Sequence, residues 1–327
     1  MQLLTGNHSI RSLDLLRGLA ILLVVPFSHF LPIEHSIAFG LGILGVTLFF
    51  FLSGFLMGQT FAADSRIGAY VTRRVFRILP MYWISIALIF FTEKTWTLAD
   101  VVTNATFTAP LLGHSRMSGI YWTLYIEVLF YSLVPLIFLF SNRSVAALTP
   151  YLVIGAYAAA LAWHLHPGPA AFFLVYCFLG LQFSQWARGL VHESTLIATI
   201  ATVVAASSIL PVLSPWLGLA PLICASLLFC SIRYPLHQRI LEFFGYVSYS
   251  WYLLHPIIGS PVMEFLNGWN PWLVAAAADV ASLAAATVTF ALVERPIIAA
   301  GKRLIRTADI FASDRTMEPA TRPGWRL

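Results

Sequence analysis

The chain is 327 residues long, 59% hydrophobic and only 10% charged, whereas an ordinary soluble domain carries about 25% charged residues. Apolar stretches long enough to cross a bilayer, roughly 17 to 25 residues each, recur from one end to the other, which excludes a soluble core on a single anchor. The net charge of +5 comes from basic residues in short loops between apolar runs, where they set orientation, so nucleic acid is not expected as a partner.

The first apolar run follows Arg11 and Arg17 and has no small-x-small cleavage site behind it, so it reads as helix 1 and not as a removable leader. Apolar runs set against Gly, Pro and charge punctuation then predict about ten transmembrane helices: 15–33, 40–62, 78–92, 121–140, 145–163, 169–187, 195–213, 216–232, 244–263 and 272–293. With the N-terminus in the cytoplasm, every one of the nineteen basic residues except Lys94 and Arg116 falls on the cytoplasmic side. The expected fold is therefore all-α and polytopic with both termini cytoplasmic. A transmembrane domain is expected over 1–306, followed by a disordered cytoplasmic tail over 307–327. Cys177, Cys224 and Cys230 lie in apolar spans without metal or disulfide spacing, and no metal site is expected.

Ionisable groups inside a membrane are costly and mark function by default. Helix 1 carries His29, about 18 Å beyond Arg17 at ~1.5 Å per residue. Helix 9 carries His255 at a similar depth, and Glu127 approaches that depth from the opposite face. Each also has a plain reading as a hydrogen-bonding partner between helices. Asp279, in AAAADVASLAAA, reads as packing. In YVTRRVFRILPMYW, Arg73, Arg74 and Arg77 stand at the cytoplasmic start of helix 3. One or two arginines there are explained by the positive-inside bias, while three also suit a phosphate-rich ligand, because guanidinium groups fork onto phosphate oxygens. In FFFLSGFLMG, Gly54 and Gly58 share a helix face and point to close packing, and Ser53 is placed to line a channel. Trp122, Trp163, Trp269 and Trp272 are either an interfacial belt or platforms for sugar rings. Three buried ionisable residues alone would equally serve a proton-coupled transporter or flippase, which has no need of the arginine trio.

Taken in order, RSLDLLRGLAILLVVPFSH, LFFFLSGFLMG, YVTRRVFRILPMYW, YWTLYIEVLFYSLVPL, FGYVSYSWYLLHP and the closing VERP resemble the acyltransferase-3 family of integral-membrane acyltransferases. The resemblance covers helices 1–4 well and helices 9–10 moderately. It implies O-acylation of a carbohydrate, glycan or lipid-linked acceptor in a bacterial inner membrane, with acyl-CoA, foremost acetyl-CoA, as donor substrate and no tightly bound cofactor. It implies catalytic roles for His29, Glu127 and Arg17, with His29 as general base. It implies that the RxxR of Arg74 and Arg77 holds the nucleotide end of the donor, and that Ser53, Gly54, Phe55 and the His255 motif matter. The arginine cluster adds Arg73 as a donor contact, and His255, Trp122 and Tyr252 are expected to meet the acceptor. One departure stands out. The family pattern encloses ten residues between the arginine and histidine of helix 1, and here Arg17 and His29 enclose eleven. On a regular helix that extra residue rotates His29 by about 100°. Pro26 cannot donate to the carbonyl of Leu22, so a π-bulge or kink between Leu22 and Ser28 is expected, turning His29 toward the Ser53–Phe55 segment of helix 2.

Overall fold

In the computed structural model, residues 7–140, 151–155, 158, 172–209, 215–234 and 237–316 are described. Among them there is no strand. The helices are α1 (Asn7–Val24), α2 (His35–Ala63), α3 (Ile67–Thr92), the short α4 (Leu98–Ala105), α5 (Tyr121–Phe140), α6 (Phe172–Ala187), α7 (Glu193–Ile209), α8 (Pro215–Arg233), α9 (Arg239–Leu254), the short α10 (Ser260–Phe265), α11 (Pro271–Thr289) and α12 (Arg295–Thr316). Five stretches among the described residues are long and apolar enough to cross a bilayer: Arg11–Phe30, His35–Ala63, Ile67–Thr92, Tyr121–Phe138 and Pro271–Asp309. The chain is thus an all-helical polytopic membrane protein, and the expected span 145–163, Trp163 included, lies mostly outside the described residues.

Among the described residues, three π-helical turns interrupt the bundle: Val25–Phe30 after α1, His255–Gly259 after α9, and Phe290–Glu294 between α11 and α12. The first is the distortion expected at Pro26. The backbone N–H of Leu31 donates a hydrogen bond of 2.9 Å to the carbonyl of Pro26, a five-residue step that accommodates the extra residue. The third joins α11 to α12, so helix runs on through Thr316, well into the stretch expected as a disordered tail.

Glycines set the closest crossings. A Cβ on Gly54 of α2 would stand 1.8 Å from the carbonyl oxygen of Cys177 on α6, and one on Gly180 of α6 would stand 2.0 Å from that of Phe51. The α1–α9 crossing repeats the device: a Cβ on Gly18 would meet the Leu241 oxygen at 1.9 Å, and one on Gly245 the Asp14 oxygen at 2.0 Å. Lipid supplies no hydrophobic drive between helices, so such backbone approach, with its dispersion contacts, is what holds them. Ser28 lies against Gly42, while Ala20 and Val24 lie against Gly45, so α1 and α2 are antiparallel. The start of α1, the end of α2 and the start of α9 therefore share one end of the bundle, which also carries Arg66, Arg73 and Arg188.

α3 starts eleven residues before the expected 78. Arg73, Arg74 and Arg77 thus stand inside the helix and not at its mouth. Arg73 is ion-paired at 2.9 Å to Asp64 in the α2–α3 turn, which Arg66 also engages. Arg66 bonds in turn to Asp309, tying α12 along α3, where Gly301 faces Phe76. The hydrogen bonds from Arg66, then those from Arg73, hold the Asp64 carboxyl well below the usual carboxylate range. At the opposite end α4 is closed by a Thr97–Asp100 capping box.

Candidate active site

A cavity of about 140 Å³ opens between α1, α2, α3, α5 and α9. Arg17, Arg74 and Arg77 line it together with Ser53, Glu127 and Tyr131, and Tyr252 lines it as well. These residues come from single helix faces. Thr123, Glu127 and Tyr131 are four apart along α5, and Ser248 and Tyr252 are four apart along α9.

Each guanidinium is held differently. Arg17 bonds to Ser248 Oγ at 3.4 Å, and its other terminal nitrogen is 3.6 Å from Asp14. Arg77 pairs at 3.0 Å with Glu294, which is 1% exposed, and its Nη2 is buried without a partner. Glu294 also accepts a 2.5 Å hydrogen bond from Ser250. Arg74 lies over the ring of Tyr131 at 5.0 Å and that of Tyr70 at 5.9 Å, and its Nε is buried without a hydrogen bond. Cation–π contact orients a guanidinium without neutralising it, so Arg74 keeps its charge for a ligand. Glu127 accepts from Ser53 Oγ at 3.0 Å and from the hydroxyl of Tyr131. The cavity is therefore a cationic pocket with one carboxylate already engaged by hydroxyl donors.

Beyond Tyr252 the imidazoles meet. The His29 and His255 rings are 4.7 Å apart, edge to face, and the Tyr252 ring is 5.8 Å from that of His255. His29 Nδ1 lies 2.7 Å from the carbonyl oxygen of Val24, and His255 Nδ1 lies 2.8 Å from that of Tyr252. A carbonyl only accepts, so each Nδ1 carries a proton, and in the neutral ring the lone pair falls on Nε2. A backbone carbonyl, and not Glu127, sets the tautomer of His29. His255 is fully buried and its Nε2 has no partner, whereas His29 is exposed.

Several expected site residues stand elsewhere. His29 does not face Ser53–Phe55: its neighbour Ser28 lies against Gly42, which is eleven residues, or about 16 Å, along α2 from Ser53. The chain leaves the helix at Leu31, so His29 is near the end of its span and not at mid-depth. Arg73 is outside the cavity, on Asp64. Gly54 packs on Cys177, and the buried Phe55 meets Phe183 edge to face at 6.2 Å. Trp122 packs on Phe173 at 4.9 Å and does not line the cavity. Asp279 keeps a buried Oδ1 without a partner. Sequence reasoning passed over Tyr131, Ser248, Tyr249 and Glu294, although the four-residue stripe of α5 and the VERP glutamate were signals for two of them. Among the described residues no three His, Cys, Asp or Glu side chains are grouped to hold a metal.

The helical membrane bundle thus holds a cavity lined by three arginines toward one end and two imidazoles toward the other. The acyltransferase-3 family profile, described as an acyltransferase domain, matches residues 10–292, and the chain belongs to that family. It is 32% identical over 139 residues to ORF330 of Acidianus two-tailed virus, whose name carries a provisional assignment as an acetyltransferase. That match covers 41% of this chain and 39% of the viral protein. It is 28% identical over 179 residues to BcsY of Komagataeibacter xylinus, provisionally named a membrane-bound transacylase, covering 47% of this chain and 44% of that protein. The chain thus spans about two fifths of the length of each of these relatives. No solved structure matches it.

Proposed function

We propose that the chain moves an acyl group, foremost acetyl, from acyl-CoA to a hydroxyl of a carbohydrate, glycan or lipid-linked acceptor. The observation that carries this reading is the continuity of the site. Arg17, Arg74 and Arg77 line one cavity that reaches Tyr252, and Tyr252 borders the imidazole pair. Acyl-CoA has the matching layout, with phosphates at one end and a thioester on a long flexible arm at the other. The positive-inside bias puts the arginine-rich end in the cytosol, where the donor is made, and the setting is a bacterial inner membrane.

Arg74 and Arg77 hold phosphate oxygens through their unpartnered nitrogens, and Arg17 steadies the arm where it turns inward past Ser53. The exposed His29 accepts the acceptor's hydroxyl proton at Nε2 as the oxygen attacks the thioester carbonyl. The acceptor reaches His29 from the end opposite the arginines. Tyr131 and Ser53 occupy Glu127, which leaves the carboxylate as a fixed wall of the donor channel and not as a base.

Two measurements test the reading. Coenzyme A at a hundred times its Kd stabilises a protein that binds it by about 2.7 kcal/mol, so the melting temperature of the purified protein rises with coenzyme A. Membranes given labelled acetyl-CoA accumulate label in a glycan or lipid fraction. An unmoved melting temperature together with no label in any fraction contradicts the proposal.

A further inference from the structure

The acyl-transfer reading uses one imidazole, and the bundle holds two. We infer that His255 is a positioning residue that shares the proton taken up by His29. The inference rests on His29 being the base.

His255 is fully buried, and its Nδ1–H is committed to the carbonyl of Tyr252, so its only free polar atom is Nε2. A lone pair that is dry and without a donor is out of keeping with folded proteins, where buried polar atoms are paired. It awaits a proton that arrives during the work of the site. The groups around it leave one source. Phe30, its ring 6.0 Å away, offers none, and the hydroxyl of Tyr252 is engaged by Thr123 and the carbonyl of Ile120. α11 packs on the same turn, and the buried Oδ1 of its Asp279 makes no hydrogen bond. His29 remains, with ring centroids at 4.7 Å, a separation at which facing ring nitrogens of two imidazoles come within hydrogen-bond reach. Both rings ride on π-turns containing proline, Pro26 before His29 and Pro256 after His255. Helix interruptions of this kind are frequent at functional sites.

The sequence of proton moves balances. As the acceptor oxygen closes its bond to the acyl carbon, its proton passes to Nε2 of His29. The new N–H donates to Nε2 of His255, which holds the imidazolium in place. When the carbon–sulfur bond breaks, the same proton leaves for the thiolate and both rings return to neutral. Neither ring acquires or loses a proton over the cycle.

The test uses the full chain in detergent or nanodiscs, labelled with 15N-histidine and assigned with His29→Ala. On acidification the Nε2 signals of His29 and His255 move together through one midpoint. In transfer assays His255→Phe, which keeps a ring and loses the acceptor, lowers kcat roughly tenfold to a hundredfold and leaves the donor KM within about twofold. His255→Gln, which keeps an acceptor oxygen, recovers part of kcat. A His255 signal that stays still while that of His29 moves overturns the inference, as does wild-type kcat in His255→Phe. If His255→Phe does not fold, the wild-type spectra and His255→Gln decide. Should His29→Ala retain transfer, the reading of His29 as base falls. Should His29→Ala be inactive while His255→Phe is fully active, only the sharing falls.

Discussion

The arginine cavity and the histidine pair belong to one bundle and are built in opposite ways. Arg17, Arg74 and Arg77 project from regular helix, and side-chain partners fix them: Ser248, the Tyr131 ring and Glu294 respectively. His29 and His255 project from interrupted helix and are fixed by the carbonyls of Val24 and Tyr252. A phosphate site tolerates long side chains that adjust to the ligand, and their partners need only keep them charged and oriented. A base must present one nitrogen at one angle, and a backbone carbonyl, itself part of a distorted turn, sets that angle without adding a second charge in the membrane. On the proposed reading, recognition is thus built by side-chain partners, and the base is oriented by backbone.

Substitutions at six positions break or sharpen that contrast. The largest effect belongs to His29→Ala, which removes a general base worth roughly a hundredfold to ten-thousandfold in rate. Turnover of labelled acetyl-CoA should collapse while coenzyme A binding persists. Arg74→Ala and Arg77→Ala each delete a charge-assisted phosphate contact worth about 1.5 to 3 kcal/mol, so donor Kd rises roughly tenfold to above a hundredfold. Lysine at either position restores only part, because an ammonium lacks the fork. Arg73→Ala serves as the contrast. Its guanidinium is spent on Asp64, and titration calorimetry should find donor affinity unchanged.

Pro26→Ala comes next. It returns an amide N–H that can bond to the carbonyl of Leu22, which favours regular helix over the π-turn and swings His29 away from His255. A fall in kcat of roughly tenfold is expected, at unaltered donor affinity. Among the substitutions expected to act, Glu294→Gln has the smallest effect. The amide still accepts from Ser250 and no longer pairs as a charge with Arg77, so donor affinity shifts severalfold and kcat stays near the wild-type value. A larger loss in kcat than in affinity would place Glu294 with the chemistry instead of with recognition.

How far the sequence disclosed this arrangement depended on the range of the signal. α5 matches the expected 121–140 at both ends, since its apolar run begins after Ser118–Gly119 and is read locally. The π-turn at Pro26 was legible because a one-residue change in spacing leaves a fixed angular error on a helix. The start of α3 was misplaced because three arginines and Arg66 look like loop. They are tolerated in helix because Asp64, Tyr131 and Glu294, all distant or across a turn, receive them. The depth of His29 was misjudged for a related reason: residues 31–33 look apolar enough to extend the span, yet Pro32 ends it. Glu294 was visible as the glutamate of VERP and silent as to role, because its partner is on α3. What the sequence conceals is contact between distant helices, and most of the cavity consists of that.

The central claim, that donor recognition and proton transfer occupy separate ends of one site, is tested most directly by measuring coenzyme A affinity in purified His29→Ala and Arg74→Ala side by side. The account predicts wild-type affinity in the first and at least a roughly tenfold loss in the second. Equal losses in both, or a loss confined to His29→Ala, would contradict it.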